Sequence, residues 1–236
     1  MMAGIALAQK ILIIEDESDI RELLTYNLDR EGFDVVGAAN GEEAFMALKS
    51  EPVQLVVLDL MLPDVSGLEI CRFIRRDSDL SRLPVIMLTA KGEEVDRIVG
   101  FELGADDYVT KPFNIREMIL RVKAVLARSK TTPVAGKALR RGPLTIDLEQ
   151  YEAAVDGRQL SLTATEFRLL HHLAAHPGHA RNRDELLDII WGEDKFVTPR
   201  TVDTYIRRLR EKLGTAGDMI QTLRGVGYRF KKMSEE

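Results

Sequence analysis

The chain has 236 residues, 45% of them hydrophobic and 30% charged, with a formal net charge of −5. That is the composition of one large or two ordinary globular domains and excludes disordered and fibrous classes. Cys71 is the single cysteine, which excludes an internal disulfide and fits a reducing compartment.

Residues 1–9 carry no Lys or Arg and are too short for a signal peptide. No apolar run approaches the ~20 residues of a membrane helix, so a cytoplasmic protein is expected. The charge is divided unevenly. Residues 1–129 hold 15 basic against 23 acidic side chains, a net of −8, and residues 130–236 hold 18 against 15, a net of +3. An acidic half joined to a basic half points to a polyanionic partner for the second alone. Between them, SKTTPVAGKA at 129–138 is small, polar and Pro/Gly-bearing, as linkers are. The expected organisation is a domain at 9–128, a linker at 129–138 and a domain at 139–232.

In chain order, nearly continuous apolar runs occur at 11–14, 35–38, 55–58, 85–88 and 108–109. Short runs without polar alternation predict parallel strands buried on both faces. Helical spacing appears between and after them, in Ile20/Leu23/Leu24/Leu28, Ala44/Phe45/Leu48, Val95/Ile98/Val99/Leu103 and Ile119/Val122/Leu126. Gly32 and Gly104 are placed to end two of these helices. The alternation predicts an α/β fold with a doubly wound, five-stranded parallel sheet.

In such sheets ligands sit beyond the carboxyl ends of the strands. Glu15 and Asp16 follow the first run, Asp59 the third, Thr89 the fourth, and Thr110 and Lys111 the fifth. Three carboxylates in one crevice repel unless a cation joins them, and clustered carboxylate oxygens suit Mg2+. Lys111 can neutralise a transferring phosphoryl group, and a carboxylate so placed can be the nucleophile, forming an aspartyl phosphate. Any one of these acids alone reads as a helix cap or a solvated loop residue; Asp19 and Glu22 fit capping best.

The segments Glu15-Asp16, LVVLDLMLPDVSG, LTA and GADDYVTKPF together resemble the receiver domain of response regulators, a flavodoxin-like and CheY-like fold. The resemblance implies Asp59 as phosphoacceptor, with Glu15, Asp16, Asp59 and the Met61 carbonyl around Mg2+. It also implies Thr89 and Tyr108 as a switch pair, Lys111 as counter-charge, and a cis Lys111–Pro112 peptide. Phosphorylation would draw Thr89 inward and let Tyr108 rotate from exposed to buried. Glu117 and Arg121 read by spacing as a solvated i,i+4 pair. The resemblance assigns Arg97, Asp106, Asp107, Glu117, Arg121 and Arg128 instead to a dimer face on the fourth and fifth helices and the strand between them.

In the basic half, 144–148, 152–155 and 158–162 predict short strands, with Asp156-Gly157 as a two-residue hairpin. TATE at 163–166 predicts a capping box and a helix with Phe167, Leu170 and Leu173 inside. Asn182 and Glu185 open a second helix, and Thr198-Pro199 a third. On the third, Val202, Ile206, Leu209 and Leu213 form a stripe, with Arg200, Thr204 and Arg207 nearly opposite and Arg208 on the flank. Such a helix suits a major groove, and the basic turn 224–227 between two terminal strands suits phosphate.

LTATEFRLL, RTVDTYIRRLREKL and TLRGVGYRF resemble the winged-helix DNA-binding domain of the OmpR/PhoB class, closest to phosphate-regulon regulators. That resemblance implies a winged helix-turn-helix of α+β type, and Arg207, Arg208, Arg210, Thr222 and Arg224 as DNA contacts. It further implies a sensor histidine kinase, a phosphorylation-dependent homodimer on tandem or paired half-sites, and RNA polymerase at the loop 192–198. Two alternatives stay open. A haloacid-dehalogenase-type phosphatase also uses an Asp nucleophile, but its pattern has a second acid two residues on, where Met61 stands here. A DNA-binding protein with a vestigial receiver would not need the complete acidic set. His171, His172, His176 and His179 read as surface or cap histidines.

Overall fold

The computed structural model describes residues 8–90, 104–129, 138–148, 150–191 and 198–232. These fall into two compact units, residues 1–129 and 130–236. The helix expected around Val95–Leu103, most of the linker and residues 192–197 of the expected polymerase loop lie outside the described residues.

The first unit is a parallel sheet of β1 (Lys10–Ile14), β2 (Asp34–Ala38), β3 (Leu55–Asp59), β4 (Val85–Ala90) and β5 (Asp107–Lys111), in the order β2-β1-β3-β4-β5. Helices α1 (Ser18–Arg30), α2 (Gly41–Ser50), α3 (Gly67–Arg76) and α4 (Ile115–Ser129) accompany it. Because helices cover both faces, β1 and β3 alternate nothing: Ile11–Ile14 and Leu55–Leu58 are all fully buried. Ile11, Ile13, Val57, Leu88 and Val109 pack with Leu24 and Leu28 of α1 and Met118, Val122, Val125 and Leu126 of α4.

Two local expectations are corrected. Leu23, expected on the inner stripe of α1, is exposed, since the core is already met by Leu24 and Leu28. Neither Asp19 nor Glu22 caps α1: its N-cap is Glu17, whose side chain makes no capping hydrogen bond.

The chain order reverses between β1 and β3, which leaves a crevice at their carboxyl ends, the position where doubly wound sheets bind ligands. Gly67, at the start of α3, closes the loop after β3 by donating its N–H to the Leu60 carbonyl. A Cβ at Gly67 would lie 2.0 Å from the Asp59 carbonyl oxygen, so only glycine lets the helix begin this close to the strand.

The second unit opens with an antiparallel sheet of β6 (Leu139–Arg141), β7 (Leu144–Asp147), β8 (Glu152–Val155) and β9 (Arg158–Gln159). Asp156 and Gly157 both have positive φ, 51° and 79°, the paired left-handed conformation of a type I′ turn that matches strand twist. Helices α5 (Ala164–Ala175), α6 (Arg183–Trp191) and α7 (Pro199–Leu213) follow, then a 3-10 turn and the hairpin β10 (Ile220–Leu223) with β11 (Gly227–Phe230). Thr163 and Glu166 form the expected capping box, and Asn182 with Glu185 forms another by reciprocal backbone bonds. The α7 stripe Val202, Ile206, Leu209 and Leu213 is buried, joined by Tyr205. No described helix is long and apolar enough to cross a membrane.

Candidate functional site

Strand β1 delivers Glu15 and Asp16, and β3 delivers Asp59, to the same edge. One carboxylate oxygen from each lies within 4.8 Å of the other two. Arg21 of α1 holds the first loop, donating from Nη1 to the carbonyls of Glu15 (2.6 Å) and Asp16 (3.1 Å). Sequence spacing gave no sign of that clamp, because Arg21 sits on a helical turn that looks solvated.

Lys111, at the end of β5, reaches across with Nζ 2.5 Å from Asp59 Oδ2 and 2.8 Å from Glu15 Oε1. Burial pulls this ammonium down, but its hydrogen bonds to Asp59 and Glu15 outweigh that and hold it above the usual lysine value. Glu15 is fully buried. Its pKa is pushed up to about 7, first by burial and then by the Asp59 charge, against the lowering effect of Lys111. Among the described residues its Oε2 has no hydrogen-bond partner. One ammonium therefore serves a cluster with more negative charge than it can satisfy, and an orphaned buried carboxylate oxygen faces that deficit. This donor set is all oxygen and hard, which fits Mg2+.

Asp59 Oδ1 accepts from the Met61 N–H at 2.9 Å, while the Met61 side chain is exposed. Thr89 is buried one strand away, and Tyr108 is turned inward, its hydroxyl 3.0 Å from Met87 Sδ. The tyrosine thus stands in the buried position of the expected rotation. The Lys111–Pro112 peptide is cis.

Several residues of the expected dimer face are paired within the chain. Asp106 is buried, pairing with Arg75 of α3 at 3.0 Å and accepting from the Val85 N–H. Asp107 is buried on the opposite side of β5, where Arg121 Nη1 donates to both its carboxylate oxygens at 3.0 and 2.9 Å. Arg121 also donates to Glu117 at 3.0 Å and is itself buried. A strand covered on both faces turns adjacent acids to opposite sides, and each needs a cation from the helix above it. Among the expected face residues, Glu117 is half-buried, with a side-chain exposure of 34%. Arg97 and the Arg128 side chain lie outside the described residues.

In the second unit, Arg200, Arg207 and Arg224 are exposed, as is Thr222, and Thr204 is intermediate. Arg208 is not an outward residue: it is buried, with Nη2 2.9 Å from Glu166 Oε1. Arg210 is half-buried and donates to the Ile220 carbonyl (3.0 and 2.6 Å) and to Thr222 Oγ1 (2.8 Å), tying α7 to the hairpin. Asp203 accepts from Arg183 and from the Tyr228 hydroxyl, both at 2.6 Å, a second tie not visible in the sequence. His176 stands at the C-cap of α5, its Nδ1 2.9 Å from the His172 carbonyl oxygen.

Residues 11–123 match the response regulator receiver domain family, and residues 157–230 match the C-terminal domain family of transcriptional regulatory proteins. The phosphate regulon transcriptional regulatory protein PhoB of Rhizobium meliloti (strain 1021) is 46% identical over 94% of this chain and 98% of its own length. That of Pseudomonas aeruginosa is 43% identical over 95% and 98%. Among solved structures, DrrB, an OmpR/PhoB homologue from Thermotoga maritima, matches at 35% identity and TM-score 0.50, covering 96% of this chain and 100% of that one. A RitR mutant matches at 24% identity and TM-score 0.75 over the same shares, a likeness of fold.

Proposed function

The chain belongs to the OmpR/PhoB class of response regulators, and from that premise we propose that Asp59 is its phosphoacceptor and α7 its DNA-reading helix. It is a phosphorylation-activated transcriptional regulator of a two-component system, a switch protein that receives its signal from a sensor kinase. The observation that carries the assignment of Asp59 is its place between two further carboxylates and one ammonium at the switch point of the sheet.

Asp59 attacks the phosphorus of a phosphohistidine, the imidazole leaves, and the product is an acyl phosphate on Asp59. Lys111, already on Asp59 Oδ2, moves its charge to the new phosphoryl oxygens. Glu15, Asp16, Asp59 and the Met61 carbonyl are the residues that would hold Mg2+. When bound, the ion would supply positive charge that offsets the carboxylates and the charge of the transferring phosphoryl group. Without a general acid at Met61 to drive hydrolysis, any phosphatase activity is incidental. Thr89 and Tyr108 carry the response away from the site. The domains are taken as 9–128 and 139–232.

The phosphorylated chain forms a homodimer through β5 and its neighbouring helices, where Leu120 and Glu117 remain accessible, and binds paired half-sites. Arg200, Thr204 and Arg207 supply base and phosphate contacts from α7, with Thr222 and Arg224 from the hairpin. RNA polymerase is assigned to the loop 192–198.

Intact-mass measurement with acetyl phosphate and Mg2+ tests the phosphoacceptor. One phosphoryl is expected on the wild type and none on Asp59→Asn; equal labelling of both excludes Asp59. The metal has its own test. Mg2+ at a hundredfold excess over its dissociation constant should stabilise the wild type by about 2.7 kcal/mol, and Asp16→Asn should lose most of that gain. A melting temperature indifferent to Mg2+ removes the metal from the site.

A further inference from the structure

Glu166 is the acid of a capping box, yet the box uses only part of it. Its carboxylate is fully buried. Oε2 accepts from the Thr163 N–H at 2.9 Å and from Lys212 Nζ at 2.6 Å, and Oε1 lies 2.9 Å from Arg208 Nη2. Arg208 and Lys212 are four residues apart on α7, so they stand one turn above the other on one flank.

We propose that Glu166 is a positioning residue for DNA recognition: by holding Arg208 and Lys212 it sets the rotation of α7 and thus which arginine faces the groove. The proposal rests on the assignment of α7 to DNA. The apolar stripe of Val202, Ile206, Leu209 and Leu213 fixes α7 on the core only coarsely, since packed aliphatic side chains tolerate a change of angle. Cations paired with a buried carboxylate do not, because leaving that charge unmatched is costly. With Arg208 turned to α5, residue 207 lies about 100° around a helix of 3.6 residues per turn. That places Arg207 outward, where its side-chain exposure is 54%.

A second consequence concerns charge. Helix α7 carries five basic residues, Arg200, Arg207, Arg208, Arg210 and Lys212. Two of these are held by Glu166 and a third by the hairpin. Fewer of these side chains are free to reach phosphate than the sequence suggests, so the salt dependence of binding should be shallower than five contacts would give.

The test uses the full chain, phosphorylated, on two duplexes: one of mixed sequence and one enriched from a randomised pool by the wild type. Affinities are read across a salt series. Arg207→Gln should flatten the slope of log affinity against log salt by about 0.9, the value of one phosphate contact. Lys212→Gln should leave the slope unchanged, although it removes the same charge from the same helix. Glu166→Gln keeps an oxygen for the Thr163 N–H but releases both cations. Its slope should steepen by about 0.9–1.8, and its preference for the enriched duplex should fall about tenfold. Adding Arg208→Gln to Glu166→Gln should take back about 0.9 of that slope without restoring preference.

A folded Glu166→Gln with wild-type slope and preference overturns the proposal. So does Lys212→Gln flattening the slope as much as Arg207→Gln, and this comparison decides the matter even if Glu166→Gln fails to fold. Arg207→Gln without effect on either duplex would instead remove α7 from DNA, and the proposal with it.

Discussion

Arg121→Ala should destabilise the chain by about 3–5 kcal/mol, the cost of removing the cation from a buried ion pair. Asp107 is almost fully buried and receives both hydrogen bonds of the pair from Arg121. The reverse change should cost less. After Asp107→Ala, Arg121 still has Glu117 at 3.0 Å, and that carboxylate is partly solvated. Exchanging the charges, Asp107→Arg with Arg121→Asp, should recover part of the loss by restoring an attraction within the same chain. Urea unfolding of the three variants checks this. A loss under about 1 kcal/mol for Arg121→Ala, the range of exposed pairs, would mean that the pair is open in the free chain. Arg121 would then be available to a second copy.

Gly67→Ala should damage the phosphoacceptor directly. The new Cβ would meet the Asp59 carbonyl oxygen at 2.0 Å and the Leu60 Cα at 2.9 Å. Both are backbone atoms at the end of β3, so neither can swing aside. Overpacking of this kind costs about 1–3 kcal/mol and at times more. The more telling effect is on chemistry: a displacement of Asp59 by about an ångström lowers a reaction rate about a hundredfold. Ser66→Ala is the control. It removes the hydrogen bond from the Leu68 N–H to Ser66 Oγ, costing about 1 kcal/mol, and should leave the rate of phosphoryl uptake unchanged. Equal rates for Gly67→Ala and wild type would show that the loop has slack the close approach denies.

The crevice was legible in the sequence because its residues announce themselves twice, as polar side chains and as the ends of apolar runs. Helix α3 was not, although Ile70, Cys71 and Ile74 are fully buried. Its inner stripe is short, and RRD at its end looks solvated. Strand β6, three residues of LRR, has too little pattern to be seen. Resemblance placed Asp106, Asp107 and Arg121 on a dimer face and Arg208 among DNA contacts, and it says nothing of the partner each has across this chain's own core. Each is satisfied by a residue on another element, Arg75, Arg121, Asp107 and Glu166 respectively. A capping box can be read within four residues, but the burial of Glu166 under α7 depends on partners 42 and 46 positions away.

The switch is a coupling: charge placed on Asp59 changes how the second unit binds DNA. Its most direct measurement is the affinity of the full chain for its enriched duplex, with Mg2+, before and after acetyl phosphate. The wild type should gain tenfold or more, within the range of about 5–150-fold typical of coupled sites, and Asp59→Asn should gain nothing. An equal gain in both proteins, or none in the wild type once its mass shows one added phosphoryl, would contradict the account.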